Sequence, residues 1–325
     1  MMTNQENVLR PLLDYLAIGR HPEEQTWQGW HICPIIGGRN NLLYRVTNGA
    51  GDFAVKFTIR DARDRAGREF GALTALQQAG LSLAPVPVLL DRDSYALPVV
   101  VQTWIEGENV DAAPKTDAAW EALVRYLAAL HTVTPDKVAV DLQTATINAY
   151  NATEGRQLVQ QHTAYIPQEE RPESLREILR RFEEMYLPDW PDRVVRLLRL
   201  DCNTLNFIHN SGEWASVDWE NSGWGDPAFE IADWMMHAAY LDVPASRWQW
   251  VTDLYCRLVD DATMSVRIWT YYKITTVWWV VRMARYLYEM PRGLDVRLVN
   301  WSEAWLDDVR WKYEHYFHLA EAALS

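Results

Sequence analysis

Apolar and polar positions alternate with a period of two along Phe53-Ala-Val-Lys-Phe-Thr-Ile59. This puts Phe53, Val55, Phe57 and Ile59 on one face and Ala54, Lys56 and Thr58 on the other, the pattern of a half-buried strand. Upstream, Ile35-Ile-Gly-Gly-Arg-Asn-Asn-Leu-Leu-Tyr-Arg-Val46 predicts strand, glycine turn and strand, and a second turn follows at Asn48-Gly49-Ala50-Gly51. The period then changes. Between 61 and 78, in a segment closed by Gly80, Ala62, Ala66, Glu69, Leu73 and Leu76 recur at helical spacing. Further along, a loop leading out of Leu197 to Asp201 precedes two short strands, Phe207-Ile-His209 and Ala215-Ser-Val217, with Asn210-Ser-Gly212 as their turn. Gly225-Asp226-Pro227 then reads as a helix start, with Asp226 as N-cap and Pro at the first helical position of a helix over 228–240.

The texture shifts once along the chain. Up to about residue 101, short alternating segments surround a single helix, and beyond about 117 long helical patterns dominate. Two units are therefore expected, an N-terminal one over 1–104 and a C-terminal one over 105–325, joined near Thr103-Trp-Ile-Glu-Gly107. The stretch 144–168 is polar and weakly patterned, readable as an inserted loop or an irregular helix. The 325 residues, 49 % of them hydrophobic, are enough to bury real cores. No apolar run reaches membrane-spanning length, and the start MMTNQENVLRPLL lacks the basic flank and apolar core of a signal peptide. A cytoplasmic protein without a membrane partner is expected. Cys33, Cys202 and Cys256 are widely spaced without a CxxC pattern, which fits reduced thiols rather than a disulfide framework or zinc site. A net charge of −13 argues against nucleic acid as the main partner and permits a cationic small molecule.

Several positions then acquire chemistry. Gly37 and Gly38 let backbone amides approach a phosphate, because no Cβ intervenes, although a Gly-Gly pair also serves any tight turn. Lys56 points away from the apolar strand face, with the small Ala54 two residues before it. Glu69 sits on the inward stripe of the following helix and needs a partner, since an unpaired buried carboxylate is costly. Lys56 is the nearest candidate, and a lysine held by a helix glutamate is poised to meet phosphate oxygens. Asn206 and Asp218 fall at neighbouring ends of one hairpin, a pair of hard oxygen donors suited to a Mg²⁺ ion that keeps several waters. Asp201, in the same loop as Asn206, is placed to accept or orient a substrate hydroxyl. Taken singly, each of these Asp and Asn residues is an ordinary turn former.

Their order is more specific than any one of them: glycine turn, strand lysine, helix glutamate, linker, D-x-x-x-x-N, then Asp at a strand end. In GGRNNLLYRV, FAVKF, RAGREFGALTAL, LAALH (Leu127 to His131), LDCNTLNF and VDWENSGWGDPAFEIAD the chain resembles the aminoglycoside phosphotransferase and choline kinase superfamily. The similarity runs over about residues 30 to 240. It implies an α+β, bilobal, protein-kinase-like fold, with a small, mostly antiparallel β N-lobe carrying one key helix and a large, mainly helical C-lobe. It further implies transfer of the γ-phosphoryl group of ATP to a hydroxyl of a small molecule. The roles implied are Lys56 on the phosphates with Glu69 holding it, Gly37 and Gly38 at the nucleotide loop, Asp201 as base, and Asn206 and Asp218 on Mg²⁺. Adenine is expected between the lobes, with Ala54 in its roof and Gln102 to Trp104 along its edge.

The family's usual His-Gly before the catalytic Asp is replaced here by Arg199-Leu200. Arg199 either substitutes as a hydrogen-bond donor or leaves the loop misaligned, and Leu200 removes a glycine's freedom. The alternative to a small-molecule kinase is therefore a nucleotide-binding pseudokinase with a regulatory or binding role. On the expected helix after Asp226, Glu230, Asp233 and His237 share one stripe, either a metal site or a polar brace for the catalytic loop. The C-terminal aromatics, among them Trp269, Tyr272, Trp278, Trp279 and Trp305, either pack the core or cage a cationic acceptor. Choline, another amino alcohol, a sugar and an antibiotic all remain open, as do the oligomeric state and the choice between ATP and GTP.

Overall fold

The computed structural model describes residues 4–35, 41–188, 190, 192–210, 212–294 and 301–325. In chain order the elements are α1 (Asn4–Ala17), β1 (Gln25–Trp27), β2 (Trp30–Ile35), β3 (Asn41–Asn48), β4 (Gly51–Thr58), α2 (Arg65–Gln78), β5 (Pro87–Asp91), β6 (Val99–Thr103), β7 (Glu108–Asn109) and α3 (Asp117–Leu130). There follow α4 (Ala152–Thr163), α5 (Glu173–Glu184), β8 (Arg196–Leu198), β9 (Phe207–Asn210), β10 (Glu213–Ser216), β11 (Gly223–Gly225), α6 (Pro227–Met236), α7 (Ala245–Leu258), α8 (Met264–Glu289) and α9 (Glu303–Ala323). The chain divides into two compact units. One joins Met1–Asp111 with Ala129–Thr146 and Arg199–Trp224, and the other joins Ala112–Ala128 with Ile147–Leu198 and Gly225–Ser325. The division thus takes three pieces of chain into the first unit, where the change in texture suggested a single boundary near residue 104. No helix among the described residues is long and apolar enough to cross a membrane.

The first unit is built on an antiparallel sheet in the order β1-β2-β3-β4-β6-β5. Phe53, Val55 and Phe57 of β4 face a core shared with Leu9, Leu12, Leu13 and Leu16 of α1. Those four leucines follow i, i+3, i+4, i+7 spacing, so one stripe of α1 is apolar, and burying each contributes roughly 1.5–3 kcal/mol. The sequence pattern suggested a single helix in this region, and α1 is a second. Pro11 lies inside it on the exposed side, which is why the stretch does not read as a helix from residue types alone. The helix expected from residue 61 starts at Arg65. Asp64 adopts the left-handed conformation at φ 49° and its side chain accepts from Gly67 N–H, an N-cap that excludes Ala62 from the helical stripe.

In the second unit the long helix α8 packs against α4, α5, α6, α7 and α9. The polar stretch 144–168 contains a regular helix, α4, capped by the Asn151 side chain on Glu154 N–H. Asp226 is the expected N-cap of α6, accepting from Ala228 N–H at 2.9 Å, and it is fully buried against Arg267 (2.6 Å) and the Tyr271 hydroxyl (3.2 Å). The helix expected over 228–240 breaks at His237, whose backbone turns extended while its Nδ1 accepts from Ala239 N–H at 3.2 Å. Among the described residues no group of three or more His, Cys, Asp or Glu side chains is arranged to hold a metal, so Glu230, Asp233 and His237 form no metal centre. Trp279 stacks on Tyr316 at 5.3 Å and its Nε1 donates to Asp233 at 3.2 Å, while Tyr286 packs on Trp305 at 6.2 Å. These rings are engaged in packing, as helical spacing alone produces.

Beside the Asp218 segment, the chain at Gly223 runs against residues 143–145. Trp224 N–H donates to the Gln143 carbonyl at 2.9 Å and Ala145 N–H to the Trp224 carbonyl at 3.0 Å. A Cβ at Gly223 would lie 2.4 Å from the Gln143 carbonyl oxygen and 2.6 Å from Ala145 N, both backbone atoms unable to move independently. Gly223→Ala is therefore expected to lower the unfolding free energy by about 1–3 kcal/mol. Gly49→Ala, where nothing lies within 4 Å, serves as the neutral comparison. Urea titration of both variants checks this, and equal midpoints would contradict it.

Candidate active site

On β4, Ala54 lies opposite Arg45 of β3 and Gln102 of β6, and Lys56 lies opposite Leu43 and Val100. The period-2 alternation thus turns Lys56 away from the apolar core and toward α2, where Glu69 is fully buried. Lys56 Nζ donates to Glu69 Oε2 at 2.7 Å and to Asp218 Oδ1, and stands 3.6 Å from Glu220 Oε2. Glu220 in turn accepts from the Arg65 guanidinium and from Asn41 Nδ2 at 3.0 Å. Three carboxylates thus surround Lys56, and among the described residues Arg65 is the other cation bonded to them, through Glu220. Burial opposes the ammonium charge, but Asp218, Glu69 and Glu220 outweigh it and raise the Lys56 pKa. Burial also opposes ionisation of Asp218, and Lys56, Arg199 and Arg65 outweigh it, holding that carboxyl below its ordinary value.

The hairpin of β9 and β10 pairs Phe207 with Ser216 and Asn210 with Glu213; relative to expectation β9 runs one residue further, while β10 begins two residues earlier and ends at Ser216, before Val217. Asn206 ends the short helical turn before β9, and its carbonyl accepts from Val217 N–H at 2.9 Å. That bond ties the Asn206 loop to the residue preceding Asp218. Asp201 lies five residues upstream, its Oδ1 accepting from Asn203 N–H at 3.2 Å. Its pKa is raised by burial and by the charge of Asp218, against the opposing pull of Arg199 and Lys56. Asp218 itself keeps 34 % side-chain exposure, so the carboxylate that holds Lys56 also faces solvent.

The remaining expected positions are less uniform. Gly37 and Gly38 lie outside the described residues. Ala54 and Gln102 are buried side by side on the same sheet face as Lys56. Trp104 follows β6 with the Arg45 guanidinium 4.6 Å above its ring. The N–H groups of Thr103 and Trp104 are committed to the carbonyls of Val86 and Asp52, both at 2.9 Å. Sequence reasoning missed Glu220 and Arg65, and offered Arg199 as a donor without naming its acceptors. Both missed residues carried a signal: Glu220 stands two residues beyond Asp218, and Arg65 one helical turn before Glu69 on the same face.

Arg199 is fully buried. Its Nε donates to Ser216 Oγ at 3.0 Å and its Nη2 to the Val217 carbonyl at 2.8 Å. Leu200 occupies the left-handed region at φ 53° with its side chain buried, so the chain follows a path suited to glycine despite the larger residue. Arg199 thus acts as a hydrogen-bond donor, its Nε and Nη2 finding acceptors on Ser216 and Val217, the two residues before Asp218.

Removing Lys56 leaves the fully buried Glu69 without its ammonium partner and takes the same cation from Asp218. Lys56→Met is expected to cost about 3–5 kcal/mol, as breaking a buried ion pair from one side does. Adding Glu69→Gln should return part of that loss, because the two groups are in contact. Urea unfolding of the four proteins of this cycle measures the coupling, and strictly additive losses would contradict the arrangement.

The phosphotransferase enzyme family model, APH, matches residues 31–250. Among solved structures, a choline/ethanolamine kinase family protein from Mesorhizobium loti aligns with a TM-score of 0.62 and 16% identity, covering 99% of this chain and 95% of that one. A spectinomycin phosphotransferase in complex with ADP and spectinomycin aligns at 0.61 and 12%, covering 97% and 98%. Choline kinase from Streptococcus pneumoniae aligns at 0.57 and 14%, covering 99% of both. No curated protein matches the chain. A mixed α+β chain with an antiparallel sheet and a match across most of its length, it belongs to the phosphotransferase enzyme family and has the protein-kinase-like fold of its aminoglycoside phosphotransferase and choline kinase members.

Proposed function

We propose that this protein transfers the γ-phosphoryl group of ATP to a hydroxyl of a small molecule. The observation that carries the reading is the buried Lys56, held by Glu69 and shared with the half-exposed Asp218. A lysine so fixed presents its ammonium to phosphate oxygens as a point charge. Residues 1–104 act as the nucleotide-binding lobe, with Gly37 and Gly38 near the phosphates and Ala54, Gln102 and Trp104 around the base. Residues 105–325 carry catalysis and the acceptor. Aminoglycoside, choline-like and sugar hydroxyls are the acceptor classes considered, in keeping with neighbours whose names specify spectinomycin and choline.

The donor chemistry fits Mg²⁺. Asn206 and Asp218 offer hard oxygens, carboxylates gather around Lys56, and fewer than three protein carboxylates suits an ion that keeps waters and takes phosphate oxygens. When bound, the ion neutralises charge on the phosphates. Lys56 orients the phosphate chain, Glu69 keeps Lys56 in place, and Asp201 takes the proton of the acceptor hydroxyl. As that oxygen bonds to the γ-phosphorus, the bond from phosphorus to the bridging oxygen breaks and ADP leaves. Since the transition state is loose, catalysis rests mainly on positioning and charge.

The test is Mg-dependent ATP consumption against a panel of amino alcohols, sugars and aminoglycosides, with Asp201→Asn beside the wild type. Turnover with one acceptor, reduced at least about 10²-fold in the variant, is expected for loss of a positioned base. Nucleotide binding without turnover across the panel would favour a pseudokinase. The pH profile has a worked sign. Burial disfavours the charged form of Asp201 and raises its pKa, so the ionised base is lost on acidification earlier than an ordinary aspartate of about 3.9. The acid limb of kcat/KM is expected above that value, and a limb below it would count against Asp201 as the base.

A further inference from the structure

We infer that Arg199 is the positioning residue for the carboxylate of Asp218, holding the strand end that aims it into the site. The inference rests on the proposed metal role of Asp218. Arg199 is fully buried and directs its guanidinium along the strand leading to Asp218, with Nε on Ser216 Oγ (3.0 Å) and Nη2 on the Val217 carbonyl (2.8 Å). The Val217 carbonyl belongs to the peptide whose nitrogen is that of Asp218, so this bond sets the plane from which the Asp218 side chain departs.

That plane leads into an unfavourable conformation. Asp218 is left-handed at φ 63° and Leu200, next to Arg199, is left-handed at φ 53°. Such conformations are unfavourable for residues with a Cβ and persist where their surroundings over-determine them. The two left-handed residues flank the same hydrogen bond, from Arg199 to Val217. Leu200 stands between Arg199, which is bonded to the hairpin, and Asp201. The other restraints act on either side: Val217 N–H on the Asn206 carbonyl at 2.9 Å, and Trp219 Nε1 on the Ser216 carbonyl at 3.0 Å. The rings of Phe207 and Trp219 stand 5.0 and 5.8 Å from the guanidinium carbon and fix its position. A planar donor bonded at two nitrogens, with rings nearby, resists rotation in a way a single-point donor does not.

The test reads metal binding directly. Mn²⁺ is titrated by electron paramagnetic resonance into wild type, Arg199→Met, Arg199→Lys and Ser216→Ala, each with AMP-PNP, and AMP-PNP binding is measured separately in EDTA. Arg199→Met is expected to weaken Mn²⁺ binding about 10-fold or more, the usual effect of losing a group that orients a ligand, while AMP-PNP affinity in EDTA stays unchanged. Arg199→Lys, which keeps the charge and one donor, should recover part of the loss, and Ser216→Ala should show a smaller weakening than Arg199→Met. Unchanged Mn²⁺ affinity in a folded Arg199→Met overturns the inference. Equal weakening of Mn²⁺ and metal-free nucleotide binding also overturns it, since that marks general disruption. If Arg199→Met does not fold, Ser216→Ala decides by the same readout, and wild-type Mn²⁺ affinity there overturns the inference. A wild type without a nucleotide-dependent Mn²⁺ site overturns both this inference and the metal role on which it rests.

Discussion

The first unit is organised around an ammonium group that has been taken out of water. Lys56 is 5 % exposed and its nitrogen meets Glu69 and Asp218, with Glu220 close behind. An isolated buried charge is so costly that the elements supplying its partners are bound to one another by that requirement. β4 must present Lys56, α2 must present Glu69, and the segment after β10 must present Asp218 and Glu220. Arg65 and Asn41 close the far side of Glu220, so the first turn of α2 and the start of β3 join the same constraint. The chemistry proposed for the site uses the group on which this local architecture depends.

The central pair was legible in the sequence because it lies within two short-range periodicities. Alternation along β4 turns Lys56 away from Phe53, Val55 and Phe57, and helical spacing puts Glu69 among the apolar positions of α2. The β9–β10 hairpin pairing and the Asp226-Pro227 helix start were readable for the same local reason. The rest depends on pairings far apart in sequence. Asn41 and Glu220 are 179 residues apart and Arg65 and Glu220 155, and nothing along the chain specifies that they meet. Helix α1 was hidden by Pro11, whose residue type argues against a helix although its leucine stripe argues for one. The start of α2 was misplaced because Asp64 caps it from a left-handed conformation, a local geometry that residue type only weakly suggests. The C-terminal aromatics were ambiguous in principle, since the same spacing serves a cage or a core, and the ring pairs now seen are packing pairs.

Arg199-Leu200 shows how a departure from a family pattern is absorbed by physics. Leu200 adopts a left-handed backbone in spite of its Cβ, and its buried side chain gains apolar contact that offsets part of the conformational cost. Arg199 supplies two directed donors to the strand before Asp218. The substitution that most suggested a degraded site is the one most closely bonded to the strand that presents the proposed metal carboxylate.

The most direct test of the central claim, that the Lys56 cluster receives a Mg-bound nucleotide, is the melting temperature with and without Mg-ATP in wild type and Asp218→Asn. Ligand at about 100 times its Kd adds about 2.7 kcal/mol to the folded state, a rise of several degrees. The account predicts a rise in wild type that depends on Mg²⁺ and disappears in Asp218→Asn. No rise in wild type, or the same Mg-dependent rise in the variant, would contradict it.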